Sequence, residues 1–306
     1  MFKVLITCPP MLQQIEHFQK QFTESSIKIT RPKVVQTLSV DELIEMVPKH
    51  DGWIIGDDPA TKEVFEAGKS GRLKAAVKWG IGTDNVDFDA CKKLNIPITN
   101  TPGMFGEEVA DLAMCYILGL ARDVFFIDRE VRKGFWPKPT GISLSKKTLG
   151  IVGLGDIGKN LAKRAKAHGL NIMGWDPYAK ELPEYIYLQN DWPEGIQQCD
   201  FLVFSCALTE SNYHIFCEEL LKKLKPGLRV INVSRGALID ENALIKGISS
   251  GAVHSAALDV FENEPLESSN KLLDYPNCIL GSHNGSNTKE AVLRASNEAI
   301  KIIREF

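Results

Sequence analysis

Residues 148–176 read TLGIVGLGDIGKNLAKRAKAHGLNIMGWD. The apolar run Thr148–Val152 predicts a strand. Gly153, Gly155 and Gly158 follow at GxGxxG spacing, and a helical pattern opens at once, from Lys159 to His168. A second apolar run, Asn171–Trp175, ends at Asp176, 18 residues beyond Gly158. Alone, GxGxxG is a common glycine turn. Between a strand and a helix, with an acid about 20 residues on, it is a dinucleotide-binding fingerprint. Gly153 permits the tight turn, Gly155 lets the backbone approach a pyrophosphate, and Gly158 lets helix and strand pack closely. The helix start offers N–H groups to the phosphates. Asp176 suits a pair of ribose hydroxyls and repels a 2′-phosphate, which favours NAD over NADP. No arginine follows it in Pro177, Tyr178, Ala179 and Lys180.

Outward from this unit, short β-rich runs alternate with helical patterns, the signature of an α/β class with parallel sheets. Upstream, strands are predicted at Phe2–Thr7, Val34–Leu38, Trp53–Gly56, Leu73–Lys78 and Ile96–Thr99. Helices are expected at Met11–Phe22, Asp41–Val47, Thr61–Ala67 and Phe88–Leu94. In the first helix Met11, Ile15, Phe18 and Phe22 fall at helical spacing and read as core. After the breaker Thr101-Pro102-Gly103, one long helix is expected from Glu107 to Lys133, a length that suits a connector between domains. Gly134 to Ser145 is turn-rich. Downstream strands read at Cys199–Ser205, Leu228–Val233, Ser255–Val260 and Cys278–Ser282. A final helix, Thr288 to Glu305, carries an apolar face that could return to pack on the first domain.

The chain has 306 residues, enough for about two domains. A net charge of −3 gives no reason to expect nucleic acid or an anionic membrane as partner. The N-terminus, MFKVLIT, lacks the long apolar region of a signal peptide. The longest mainly apolar stretch, Val109 to Ala121, contains Asp111 and is too short to span a bilayer. Seven cysteines, odd in number and without any CxxC, argue for reduced thiols in the cytoplasm and against a zinc site. No metal site is expected.

Reducing a carbonyl needs a proton donor and a cation for the substrate's oxygens. Of six histidines, His17, His50, His168, His214 and His254 read as solvated or structural. His283 differs, because it follows the apolar strand Cys278-Ile279-Leu280 and precedes Asn284-Gly285. Ligands gather outside the carboxyl ends of parallel strands. Arg235 sits at such an end in NVSRG, and so does the acidic run with Glu262 and Glu264. A lone arginine there is usually a surface residue, but Arg, Glu and His at three strand ends below one GxGxxG point to a site.

Six segments then resemble the D-isomer-specific 2-hydroxyacid dehydrogenase family over nearly the whole chain. They are KWGIGTDNVD (78–87), NTPGMFGEEVADLAM (100–114), GLGDIG (153–158), NVSRGALIDE (232–241), ALDVFENEP (257–265) and GSHNGSNTKEA (281–291). The motifs look most like the phosphoglycerate-type members, in a short form without a regulatory C-terminal domain. The resemblance implies two Rossmann-like or flavodoxin-like parallel-sheet domains with a cleft between them. The NAD-binding domain would span 101–284 and the substrate domain 1–100 plus 285–306. It implies catalysis by Arg235, Glu264 and His283: Arg235 on the substrate carboxylate and carbonyl, His283 as acid/base, Glu264 as its partner. Glu262 falls at a variable position and receives no role.

The resemblance also implies cofactor contacts. The backbone at Asp156 and Ile157 would meet the pyrophosphate and Asp176 the ribose, with Cys206, Val233, Ser234 and Asp259 along the adenosine and nicotinamide sides. Gly80, Ile81 and Gly82 match a loop that presents N–H groups to the substrate carboxylate. Two departures stand out. Asp156 puts a carboxylate near a pyrophosphate, tolerable if it points away or pairs with Lys159. Lys78 stands where phosphoglycerate-type members often carry arginine, so it would meet a phosphate as a point charge or lie in a surface ion pair. Family membership further implies a homodimer through the long helix and neighbouring loops of the NAD-binding domain. Two alternatives remain open, a phosphite-type dehydrogenase and an NAD-sensing, corepressor-like interaction protein.

Overall fold

In the computed structural model, which describes residues 1–306, all twelve strands pair in parallel within two separate sheets. The chain divides into two units, Met1–Phe105 with Ser286–Phe306, and Gly106–Gly285.

The first unit holds β1 (Phe2–Ile6), β2 (Ile27–Thr30), β3 (Gly52–Ile55), β4 (Ala75–Lys78) and β5 (Ile98–Asn100), in the order β2-β1-β3-β4-β5. Helices α1 (Pro9–Gln13), α2 (Gln19–Glu24), α3 (Val40–Met46), α4 (Lys62–Ser70) and α5 (Phe88–Lys93) lie between them. This is the flavodoxin-like order, whose switch point lies between β1 and β3. Every residue of β3 and β4 is buried, as expected where both faces of a parallel sheet are covered. Trp53 of β3 meets Phe65 of α4 with ring centroids 5.8 Å apart, in a core shared with Leu5, Leu43 and Ala76. Ser39 and Glu42 form a reciprocal capping box that starts α3.

The second unit opens with α6 (Gly106–Arg122) and α7 (Val124–Arg132). It continues through β6 (Thr148–Val152), α8 (Asp156–Ala167), β7 (Asn171–Trp175), β8 (Ile186–Gln189), β9 (Phe201–Phe204) and α9 (Glu218–Leu221). β10 (Leu228–Asn232), α10 (Glu241–Ser250), β11 (Val253–Leu258) and β12 (Ile279–Leu280) complete it. The sheet order β12-β11-β10-β9-β6-β7-β8 reverses at β6 and β9, so the glycine turn after β6 sits at a switch point. The last helix, α11 (Lys289–Ile303), belongs to the first unit. It buries Ala291, Val292, Ala295 and Ala299, and its Ser296 Oγ accepts from Trp79 Nε1 at 3.1 Å.

Several elements differ from the sequence expectation. Residues 34–38 are not a strand; the strand beside β1 is β2, at Ile27–Thr30. Leu38 is nevertheless buried, and its N–H donates to Asp58 Oδ1 at 2.9 Å, so a loop anchored by Leu38, with Val35 left exposed, lies where a strand was expected. The helix expected over 11–22 is broken by a 3₁₀ turn at Ile15–Phe18, which keeps all four apolar side chains buried. The long helix breaks at Asp123, whose φ of 52° is left-handed and redirects the chain into α7.

Candidate active site

The glycine turn does what its residues allow. Gly153 has φ 95°, and a Cβ there would lie 2.5 Å from the Cys206 backbone nitrogen. A Cβ at Gly158 would overlap Gly153 O, so only glycine lets α8 start so close to the turn. Ser205 Oγ also donates to Gly153 O, at 2.8 Å. Gly155, by contrast, faces open space: a Cβ there would meet nothing within 4 Å. It caps the N-terminus of the 12-residue α8. Asp176, at the end of β7, accepts from Leu154 N–H on Oδ2 and from Tyr178 N–H on Oδ1, each at 2.8 Å. Each carboxylate oxygen keeps a second lone pair for a ligand hydroxyl. An open glycine at a helix start and a fixed acid at the neighbouring strand end fit a dinucleotide.

Asp156 resolves its own electrostatic difficulty. Its carboxylate packs against Gly106, where any Cβ would overlap it, at the first residue of α6. Its Oδ1 accepts from Asn160 Nδ2 at 3.1 Å. The start of a helix is a favourable place for a negative charge. Lys159 is not its partner; the ammonium reaches Lys180 O at 3.3 Å.

The three strand ends converge. His283 Nδ1 lies 2.7 Å from Glu264 Oε2, and Glu264 Oε1 accepts from Phe261 N–H at 2.9 Å. His283 has φ 55°, a left-handed setting rare for a residue with a side chain. Asp259, expected beside the cofactor, is buried and engaged within the protein. Its Oδ1 accepts from Tyr116 Oη and Asn284 N–H, each at 3.2 Å, and its Oδ2 from Gly285 N–H at 2.8 Å. Its carbonyl accepts from His283 N–H at 2.7 Å. Arg235 Nη1 donates to Ser234 O at 2.9 Å, and Ser234 Oγ donates to Cys206 O. Val233 N–H donates to Phe204 O at 3.3 Å. Burial pushes the Cys206 thiol up to about 11, so it stays protonated near neutral pH. Gly236 packs directly on the Phe261–Glu262 backbone, which brings the Arg235 turn beside the Glu264 loop.

Glu262 also has partners, which the sequence did not suggest. Its Oε1 accepts from Glu241 N–H, while Glu241 Oε1 accepts from Glu262 N–H, both at 2.9 Å. His214 Nε2 lies 3.2 Å from Glu262 Oε2.

In the other unit, Gly80 has φ 124°, and its N–H donates to Thr101 Oγ1 at 2.9 Å. The loop thus leaves the N–H groups of Ile81 and Gly82, rather than three, to meet an anion. Lys78 is not in a surface ion pair. It is 2% exposed, and its Nζ donates to Gly56 O at 2.6 Å and to Asp57 Oδ1 at 3.0 Å. Sequence reading missed Asp57, 21 residues away, and Tyr116, a lone hydroxyl in an apolar helix.

Residues 114–285 match the model of the D-isomer specific 2-hydroxyacid dehydrogenase NAD binding domain. The chain belongs to the D-isomer specific 2-hydroxyacid dehydrogenase family. It is 39% identical to the hydroxypyruvate reductase of Thermotoga maritima, over 88% of this chain and 89% of that protein. It is 35% identical to the D-3-phosphoglycerate dehydrogenase of Methanocaldococcus jannaschii over 95% of this chain, but spans only 55% of that protein. The TT0316 protein of Thermus thermophilus has a similar structure, with TM-score 0.87 and 28% identity, over 98% of this chain and 94% of that one. The chain is therefore an NAD-dependent dehydrogenase of 2-hydroxy acids.

Proposed function

We propose that this dehydrogenase reduces a small 2-oxo acid without a distal phosphate, with hydroxypyruvate as the model substrate. The observation that carries this reading is the Lys78–Asp57 ion pair. The ammonium's charge is already offset by a carboxylate, and a phosphate dianion brought beside the pair would meet like charge at short range. The neutral hydroxymethyl of hydroxypyruvate meets no such repulsion. The likeness to a hydroxypyruvate reductase over nearly its full length supports the same reading.

Roles follow from the chemistry of each group. Ile81 and Gly82 offer N–H groups to the substrate carboxylate, while Arg235 forks onto the carboxylate and polarises the carbonyl. The N–H groups at Asp156 and Ile157 bind the pyrophosphate of NAD, and Asp176 binds the ribose. Gly153, Gly155 and Gly158 keep that surface open, with Cys206, Val233 and Ser234 along its edge. NADH supplies the hydride when bound. His283 delivers a proton to the carbonyl oxygen, and Glu264 favours the imidazolium that carries it. The test is kcat/KM with NADH and with NADPH for hydroxypyruvate, glyoxylate, pyruvate, 2-oxoglutarate and 3-phosphohydroxypyruvate, followed by nicotinamide absorbance. Hydroxypyruvate with NADH should lead. A value for 3-phosphohydroxypyruvate equal to that of hydroxypyruvate would overturn the substrate class.

The functional particle we propose is a homodimer in the cytoplasm. α7 has no buried residue, and Val124, Phe125, Val131, Phe135 and Trp136 expose apolar surface around it. Apolar patches of this kind mark protein–protein contacts. All seven cysteines are free thiols, which suits a reducing compartment. Sedimentation of the wild type and of Trp136→Glu tests the interface; a monomeric wild type at micromolar concentration would refute it.

A further inference from the structure

Tyr116 projects from the apolar stretch of α6 and is only 5% exposed. Its hydroxyl donates to Asp259 Oδ1. Through its two side-chain oxygens and its carbonyl, Asp259 receives the N–H groups of three successive residues, His283, Asn284 and Gly285. One buried aspartate thus clasps the whole turn that carries the histidine. Burial, with Asp259 beside it, pushes the Tyr116 phenol far above its usual value, so the hydroxyl remains a donor throughout the working pH range.

The fourth partner in this arrangement is a missing side chain. A Cβ built on Gly281 would lie 2.5 Å from Tyr116 Oη and would overlap Asp259 Oδ1. The tyrosine hydroxyl fills the space that a side chain at position 281 would claim. Gly281 N–H itself donates to Leu258 O at 2.7 Å, which fixes the gap against the end of β11. Hydroxyl at 116 and hydrogen at 281 are two halves of one fit.

We propose that Tyr116 is a positioning residue for His283, with Gly281 as the gap that admits it: the hydroxyl locks Asp259, and Asp259 locks the histidine turn. The proposal rests on the reading of His283 as the acid/base. A left-handed φ at a residue with a side chain persists only where its surroundings impose it. The clasp by Asp259 imposes it here and thereby aims Nδ1 at Glu264. Without the hydroxyl, the carboxylate loses its side-chain donor and can turn away from the Asn284 and Gly285 N–H groups.

The test compares full-length Tyr116→Phe, Gly281→Ala, Asp259→Ala, Tyr116→Phe/Asp259→Ala and His283→Gln, using hydroxypyruvate and NADH. Tyr116→Phe should lower kcat about tenfold, the scale of one hydrogen bond to a buried charge. KM for hydroxypyruvate and Kd for NADH should stay within about twofold, because the lost interaction serves the proton-transfer step. Gly281→Ala should reproduce the fall from the other side of the fit. On the Asp259→Ala background, Tyr116→Phe should cost nothing more. A Tyr116→Phe enzyme with wild-type kcat, or one whose loss persists undiminished without Asp259, overturns the proposal while leaving an inactive His283→Gln intact. A fully active His283→Gln would instead refute the underlying assignment of the histidine.

Discussion

His283 and Glu264 meet Nδ1 to Oε2 at 2.7 Å, with the second glutamate oxygen tied to Phe261 N–H. Fixing one ring nitrogen and one carboxylate oxygen sets the plane and tilt of the imidazole. His283→Gln is expected to lower kcat by about 10²- to 10⁴-fold, the usual share of general acid catalysis. NADH binding, read by fluorescence titration, should survive, because the glycine turn is untouched.

Glu264→Gln removes the negative charge that favours imidazolium. Reduction needs the protonated ring, so its rate should fall away at lower pH than in the wild type. Oxidation needs the neutral ring, so that activity should extend further toward acid. Superimposable pH–rate profiles for wild type and Glu264→Gln, in both directions, would reject the pairing.

Arg235→Lys keeps the charge but loses the planar fork. Every 2-oxo acid carries the same carboxylate and carbonyl, so kcat/KM should drop by a similar factor, about 10²-fold or more, for each acid tested. A loss confined to one substrate would show that Arg235 reads something other than the shared end of the molecule.

Asp57→Asn should leave Lys78 with an unbalanced ammonium. On the proposed substrate assignment, kcat/KM for 3-phosphohydroxypyruvate should then rise about tenfold relative to hydroxypyruvate, at fixed ionic strength. An unchanged ratio would mean that the pair does not face the distal end of the substrate.

Asp51 governs acid stability rather than turnover. Burial pushes its carboxyl up, but Lys3 N–H, Arg72 and Lys74 outweigh that and hold it below its usual value. A lowered folded value stabilises the protein above the unfolded carboxyl's pKa of about 3.9, and that contribution fades as pH falls through the folded value. Asp51→Asn should cost about 1–3 kcal/mol in urea unfolding at pH 7. The gap between variant and wild type should narrow steadily as the pH is lowered toward about 3.

What was legible in the sequence was mostly local. The β6–α8–β7 unit follows from glycines and an apolar rhythm within one short stretch. β8 escaped notice because the apolar run within it, Ile186-Tyr187-Leu188, is only three residues long and lies among prolines and charged residues; only Ile186 of the strand is buried. The segment Val34–Leu38 misled because its burial alternates along the loop, with Leu38 inside and Val35 exposed, as it would in a strand. Arg235, Glu264 and His283 were visible as strand-end residues. Their support was not: Tyr116 and Asp259 are separated by 143 positions, and nothing in either neighbourhood announces the other. Glu262 and Glu241, reciprocal through their backbones, are invisible for the same reason.

The left-handed turn at His283 sets two demands on the molecule against each other. A residue with a side chain holds that backbone setting at a cost of about 1–3 kcal/mol, and glycine would hold it at almost none. The most comfortable residue for this position is therefore one that carries no imidazole. His283→Gly relieves that backbone cost but also gives up the contact with Glu264, so it should melt at a higher temperature than His283→Ala, which gives up the same contact and keeps the strain. Endurance of the backbone and possession of an imidazole thus pull in opposite directions here, and the Glu264 contact is what holds the histidine in place.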